Sequence, residues 1–578
     1  MPGTTTWSVM ISTAMAAATM LAPDRADACG GTFCDGGVPG PMPVDQTGEN
    51  VIFVMGGAKA EVHIQISYDP NTNAEKFAWM IPLTSVPDFT VGSQPLFDAV
   101  LAATVPLYQV NTTFESCGEQ SLSSGGSITA ATAPAGDEGD GGSASDTNGD
   151  PGPEVLLRQT VGAFDVVVLQ DTELAPIQQW LEDNNFNWDP NAGPILQQYI
   201  DEGNVIAALR LTHGVGLQDI HPITLTYDSD ETCFPLRLTR IAAVDDMDIR
   251  VFVLADERAA PTNYSHVLVN PLKIDWLQLA ANYKDVITKA VDANMADGRA
   301  FVTEYAGTSG TVQTASILGS GWDNQAFLGL DPTEVITLLN NQGLAACFSE
   351  FECTWLHPLV YGLLLEHLPP PDGVDPLQFY PYLTDFSADI DTMLWADGAG
   401  FAAGLLDRVI APGQHATSLL NTWPYLTRMY TTISPTEMME DPIFHTNPDL
   451  EDVVQLRVGD NYVLCNGDSV MTLPDDREVY IPGGGAWPDI PGEEWWEEEV
   501  QTIAFKGAPM TLVNNTAAIT AKLEAWNQSN SWPRGPGADT SGQDDGGGCG
   551  CRSEAGASGL LGLGLVSLLA LRRRRRGR

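Results

Sequence analysis

Val62, Ile64, Ile66 and Tyr68 alternate with Glu61, His63, Gln65 and Ser67, and this period of two predicts a strand with one buried face. His63 then falls on the polar face and reads as a surface residue. The run 51–55 before it is apolar throughout, and Gly56-Gly57 supplies a hairpin turn. Residues 77–83 read as a third strand. β-Branched and apolar runs predict further strands at 164–169, 205–211, 223–227, 234–241 and 249–254. Between them, Leu174, Ile177 and Leu181 fall at helical spacing, and 194–199 reads as a short helix. From Asp275 the period changes. Trp276, Leu279, Tyr283, Val286 and Ala290 line one face of a helix of about five turns. Asp331, with Pro332 at the first position and Glu334 completing a capping-box-like pattern, starts another helix that Gly343 stops. Residues 351–430 read as helix and loop, 453–481 as strands, and Ile519, Leu523 and Trp526 mark a last helix.

The expected fold class is therefore α+β. A β-rich module spans 29–310, a mostly helical region with C-terminal strands spans 311–527, and no internal repeat is visible. Within the first module, 118–153 is a Gly/Ser/Ala/Asp mixture almost without large apolar residues. It is expected to be a disordered surface insertion, because such a stretch cannot bury a core. Residues 528–548 form a Ser/Gly/Asp/Pro-rich linker of the same character.

Both termini carry addressing features. Residues 7–22 are apolar and small, and Ala26-Asp27-Ala28 forms an A-x-A cleavage pattern, so 1–28 reads as a signal peptide despite an n-region without Lys or Arg. At the other end, residues 555–571 carry no charge and span roughly 25 Å as a helix at about 1.5 Å per residue. That is the lower limit for crossing a bilayer. The arginines Arg572 to Arg576 follow and are expected to stay on the cytoplasmic side. Cys549-Gly550-Cys551-Arg552, the Gly/Leu-rich helix and the arginine cluster together resemble the MYXO-CTERM sorting signal of myxobacterial exported proteins. That resemblance implies transient membrane retention, cleavage near Cys551 or Cys549 by a dedicated sorting protease, and display at the cell surface with lipid on the cysteine, Cys551 being favoured. A plain single-pass anchor is the alternative.

The chain carries 27 basic against 75 acidic side chains, a formal charge of -48. Such a charge repels phosphates and anionic lipid, so nucleic acid is excluded as a partner and membrane contact is expected through the tail only. In an exported protein, the seven cysteines outside the tail read as disulfide formers. The sequence-close pairs Cys29/Cys34 and Cys347/Cys353 are the first candidates.

The segments Cys29-Gly30-Gly31-Thr32-Phe33-Cys34, Pro43-Val44-Asp45-Gln46, Phe77-Ala78-Trp79-Met80-Ile81-Pro82 and Gly298-Arg299-Ala300-Phe301-Val302 resemble the domain-of-unknown-function family 2330. Its members resemble this chain in being exported bacterial proteins. The resemblance implies a single N-terminal module and brings no catalytic residues with it.

Candidate chemistry is sparse. The sequence has no G-x-S-x-G, Walker, post-strand G-x-G-x-x-G or H-E-x-x-H signature, and Leu363 breaks an inverted zinc motif ending at Glu366-His367. His357 and His367 are ten positions apart, too far for an easy shared ligand face. His213 and His221, with Asp219, could converge on a loop. Asp146, Asn148 and Asp150 open like a calcium loop, but Pro151 and Leu157 stand where Gly and Glu belong, which leaves weak calcium binding and no other cofactor. Asp245, Asp246 and Asp248 read as a solvated acidic turn. Trp487, Trp495 and Trp496 lie among carboxylates and are candidates for stacking on a sugar or holding a cation. Two functions compete. One is a surface-displayed binding or structural envelope protein with a glycan or protein ligand. The other is an exported hydrolase whose carboxylate site is scattered in sequence.

Overall fold

The computed structural model describes residues 32–34, 46–56, 59–68, 77–117, 153–184, 192–211, 220–227, 235–241, 243–347 and 353–533. Residues 1–28, Cys29, all but the last residue of the 118–153 stretch, Asp146, Asn148, Asp150, His213, Asp219, and the tail with Cys549 and Cys551 lie outside them.

The fold is α+β with a β-rich N-terminal part. Its centre is a ten-stranded sheet. The strand order is Met510–Asn514, Glu497–Thr502, Ser265–Val269, Ala300–Thr308, Tyr425–Ile433, Ala243–Ala255, Gln46–Val54, Ala60–Tyr68, Ile223–Tyr227 and Asp88–Val91. Pairing is antiparallel except between Gln46–Val54 and Ala243–Ala255 and between Ser265–Val269 and Ala300–Thr308. This sheet draws strands from both sides of the expected boundary at residue 310.

The chain packs in four layers here. Val51, Phe53, Val62 and Ile64 on one face of the large sheet meet Ile81, Phe164, Val166 and Leu209 of a five-stranded sheet. Ile52, Val54, Phe252 and Leu254 on the other face meet Leu96 and Phe97 of the helix Gln94–Thr104 and Leu419 and Leu420 of the helix Ala411–Thr422. Burial on both faces explains why 51–55 has no polar alternation. The outer face of the five-stranded sheet is covered in turn by Leu174–Asp183 and Gly193–Asp201. A separate helical core forms around Phe327, Leu363, Phe379 and Phe401.

The helix after Asp331 forms as read. Asp331 accepts from the Thr333 N–H, and Gly343 ends Val335–Gln342 at φ 70°. Three other expectations fail. The long helix from Asp275 breaks into a turn at Trp276–Gln278 and a helix at Tyr283–Val291, because Leu279 and Ala280 take φ 51° and 62°. Polar side chains impose that break: Asp275 accepts from the Gln278 N–H, and Asn282 bonds the backbone of Asp275 and Lys273. The expected strand at 234–241 contains instead a helical turn, Leu236–Thr239, where Asp441 takes the Arg237 N–H and guanidinium. The linker expected from 528 is contradicted as far as 533. Thr516–Ser529 is helical, and Trp532 packs against Tyr480 and donates to Glu478.

Among the described residues two disulfides are formed, Cys347–Cys353 and Cys117–Cys465. Among the described residues no helix is long and apolar enough to cross a membrane.

Candidate functional site

A small four-stranded sheet, in the order Glu478–Ile481, Ser469–Thr472, Leu456–Val463 and Leu107–Phe114, packs beside the end of the large sheet that carries Ser265–Val269. Between them lies a cavity of about 680 Å³, within the roughly 300–1,000 Å³ range of small-molecule sites. Its apolar lining comes from Val267, Val269, Val302 and Ile503 and from the aromatic rings of Tyr108, Trp276 and Tyr283. The loop 449–454 forms a rim. It is pinned by Asn447, whose amide donates to the carbonyls of Ala504 and Gly507 at 2.8 and 2.9 Å, and by the Gly507 N–H donating to Asp449 at 2.8 Å. Leu268, Val454 and Leu456 line the cavity and are nevertheless 42%, 67% and 44% exposed. The mouth is therefore an apolar lip in water.

Three basic side chains interrupt this greasy lining. Arg457 is half-buried, donates to the Tyr108 hydroxyl at 2.6 Å, and holds its guanidinium carbon 5.4 Å from the Tyr108 ring centroid. Tyr108 in turn meets Trp276 edge-on at 5.0 Å. Arg258, buried, donates to the Glu451 carbonyl at 2.5 Å. Burial pushes the pKa of His266 down to about 4, and the Arg258 charge adds to the effect, so the ring is neutral near pH 7. The Gln501 amide oxygen stands 3.4 Å from Nδ1 and takes its proton, leaving Nε2 to accept from the Thr303 hydroxyl at 2.9 Å. The site can hold an apolar body, and Arg258, Arg457 and the neutral His266 ring share its lining with the carboxylates of Asp449, Glu451, Asp452 and Asp475.

The residues singled out from sequence lie elsewhere. Trp487, Trp495 and Trp496 pack around Leu272, Ile274 and Trp276 and none of them lines the cavity. Trp487 donates to the Leu272 carbonyl at 2.7 Å, and the Trp496 ring takes the Lys289 ammonium 4.1 Å from its centroid. His221 accepts from the Ala163 N–H with Nε2 and donates to the Pro222 carbonyl with Nδ1, so both nitrogens serve the backbone. His357 caps the helix Pro358–His367 by accepting from the Leu359 N–H, and His367 ends that helix. Ten residues of helix separate them by roughly 15 Å. Asp248 belongs to no free acidic turn: it accepts from the Tyr430 hydroxyl and pairs with Lys284 at 3.1 Å. The cavity's own basic residues escaped sequence reading because His266 and Arg457 stand alone in unremarkable strands and Arg258 in the connection between Ala243–Ala255 and Ala259–Pro261.

A second constellation also corrects the sequence reading. His63 is only 1% exposed, because the helix Ala411–Thr422, some 350 positions later, covers the polar face of its strand. Its Nε2 lies 2.7 Å from Glu61 Oε1, and His415 Nε2 lies 2.6 Å from the same oxygen. Burial disfavours the Glu61 charge, but the hydrogen bond from His415 and the adjacent His63 ring outweigh it and hold the carboxyl down at about 2.

No curated protein and no solved structure matches the chain. Residues 24–337, more than half of the chain, match the family described as "Uncharacterized protein conserved in bacteria (DUF2330)", and this segment holds Glu61, His63 and the 258–303 side of the cavity; the chain belongs to that family.

Proposed function

We propose that the chain is an exported, cell-surface-displayed binding protein whose cavity takes a small, largely apolar ligand ending in a carboxylate or similar acceptor group. The observation that carries this reading is the apolar cavity with its exposed lip of Leu268, Val454 and Leu456 and with Arg457 on its wall. Apolar surface left in water around a concave site marks a place where something docks. Such a lining favours an apolar molecule over an envelope glycan. Carboxylates do line the cavity, at Asp449, Glu451, Asp452 and Asp475, but the three that burial raises, Asp98, Asp292 and Asp441, lie away from it, which favours binding over carboxylate-based hydrolysis. Export is supported by the N-terminal cleavage pattern, by the sorting-signal resemblance of the tail, and by two disulfides of the kind that persist in oxidising compartments.

Calorimetric titration of the purified protein with dodecanoate and dodecanol tests the cavity. Dodecanoate is expected to bind more tightly than the alcohol. Arg457→Met is expected to remove that difference, and Val453→Trp, which fills the cavity, to weaken both by at least about tenfold. Absence of binding by either probe, or unchanged binding in Val453→Trp, overturns the reading.

A further inference from the structure

We propose that Glu61, His63 and His415 form a binding site for one divalent transition metal ion of the zinc type, with a coordination position left open to water. The pleat of the strand Ala60–Tyr68 puts Glu61 and His63, two positions apart, on one face. The helix Ala411–Thr422 crosses that face and adds His415. Two imidazole nitrogens then stand within 2.7 Å of one carboxylate oxygen, and the three donor atoms all lie within 4.8 Å of one another.

Two details distinguish this cluster from an ordinary ion pair. His63 Nε2 is buried and, despite its short approach to Glu61, makes no hydrogen bond of acceptable geometry. Its Nδ1 is held by the Thr224 hydroxyl at 2.9 Å on the neighbouring strand Ile223–Tyr227. With Nδ1–H donating to Thr224, the Nε2 lone pair points at the cluster, the arrangement by which an outer partner orients a metal-binding histidine. Ligands at about 2.0–2.2 Å from a tetrahedral ion stand roughly 3.3 Å apart, so small side-chain rotations at Glu61 and His415 admit the ion. The two rings lie nearly parallel, 22° apart with centroids at 6.1 Å, which leaves room between them for that opening.

The chemistry of the donors fixes the class of ion. Two imidazoles and one carboxylate suit zinc and similar ions rather than calcium or magnesium, which prefer oxygen. The His415 side chain is 48% exposed, so the ion can arrive from solvent and retain a water on that side. Three protein ligands with a free position are the pattern of zinc centres that bind and activate water. The formal charge of -48 draws divalent cations towards the whole molecule.

The test uses the full chain stripped with a chelator, dialysed, and loaded with zinc or with cobalt as a spectroscopic probe. Wild type is expected to take up one more equivalent of zinc than either His415→Ala or His63→Gln, and to show the visible absorption of low-coordinate cobalt that both variants lack. His415→Ala lies on an exposed helix face, and its far-ultraviolet circular dichroism is expected to match wild type. Thr224→Val keeps all three ligands and should weaken zinc roughly 10- to 100-fold. Equal uptake by wild type and the two ligand variants, whether none or the same number of ions elsewhere on the chain, overturns the proposal.

Discussion

Cys117 and Cys465 are separated by 348 positions and bonded, with their Cα atoms 5.6 Å apart. They close the ends of Leu107–Phe114 and Leu456–Val463, which run parallel in the small sheet beside the cavity. Cross-linking so long a loop removes much unfolded-state entropy, about 6 kcal/mol in the chain-entropy picture, against about 2 kcal/mol for the short Cys347–Cys353 loop. Cys465→Ser is therefore expected to lower the urea midpoint clearly more than Cys353→Ser. Equal losses would show that the long-range link contributes only locally.

Arg428 and Glu304 face each other from neighbouring strands, 2.5 Å apart and almost wholly buried. Arg428 also donates to the Leu101 carbonyl and to Thr104 at 3.2 and 3.3 Å, fastening the helix Gln94–Thr104 to the sheet. Arg428→Met alone strands a buried carboxylate and should cost about 3–5 kcal/mol. Pairing it with Glu304→Leu should recover most of that loss, since two apolar chains need no desolvation of charge. Denaturant unfolding of the two variants decides the matter, and a double variant as unstable as the single one contradicts it.

The stability of the fold should fall on mild acidification. Burial pushes the pKa values of His221, His266 and His357 down from 6.5 to about 4. The folded chain keeps these rings neutral while the unfolded chain protonates them, so stability present above pH 6.5 is lost as pH falls towards 4. Each ring contributes up to about 3 kcal/mol across that window. Unfolding near pH 5 should take up two to three protons from these rings, read from the slope of the unfolding free energy against pH. His357→Asn retains a helix cap and should reduce the uptake by about one.

Local signals were legible in the sequence. The alternation at Val62 and Ile64, the apolar run 77–83 and the capped helix from Asp331 to Gly343 each carry their signal in neighbouring residues, even where the strands pair with partners as distant as Val205–Leu211. Apart from the break at Leu279, which Asp275 and Asn282 impose locally, what failed depended on distant partners. His63 looks solvated until a helix from beyond residue 410 covers it, and the turn at Leu236–Thr239 follows from its bonds to Asp441. The cavity was invisible for the same reason, since its walls come from Tyr108, from 258–303 and from 449–509, and no linear spacing joins them.

The last prediction concerns the tail, where composition carries the argument. The five guanidiniums of Arg572 to Arg576 are too costly to pass through lipid, so a precursor that keeps them should remain at the inner membrane. On the proposed sorting reading, cleavage near Cys551 would remove that barrier together with the uncharged 555–571 segment and free the acidic body to move outward. Cys551→Ala should then retain full-length protein in the membrane fraction while the body still folds and forms Cys117–Cys465 and Cys347–Cys353. Mass spectrometry of protein released from the cell surface reads the outcome directly. A C-terminal peptide that still contains Leu560 to Arg578 would show that the tail is a plain anchor and not a sorting signal.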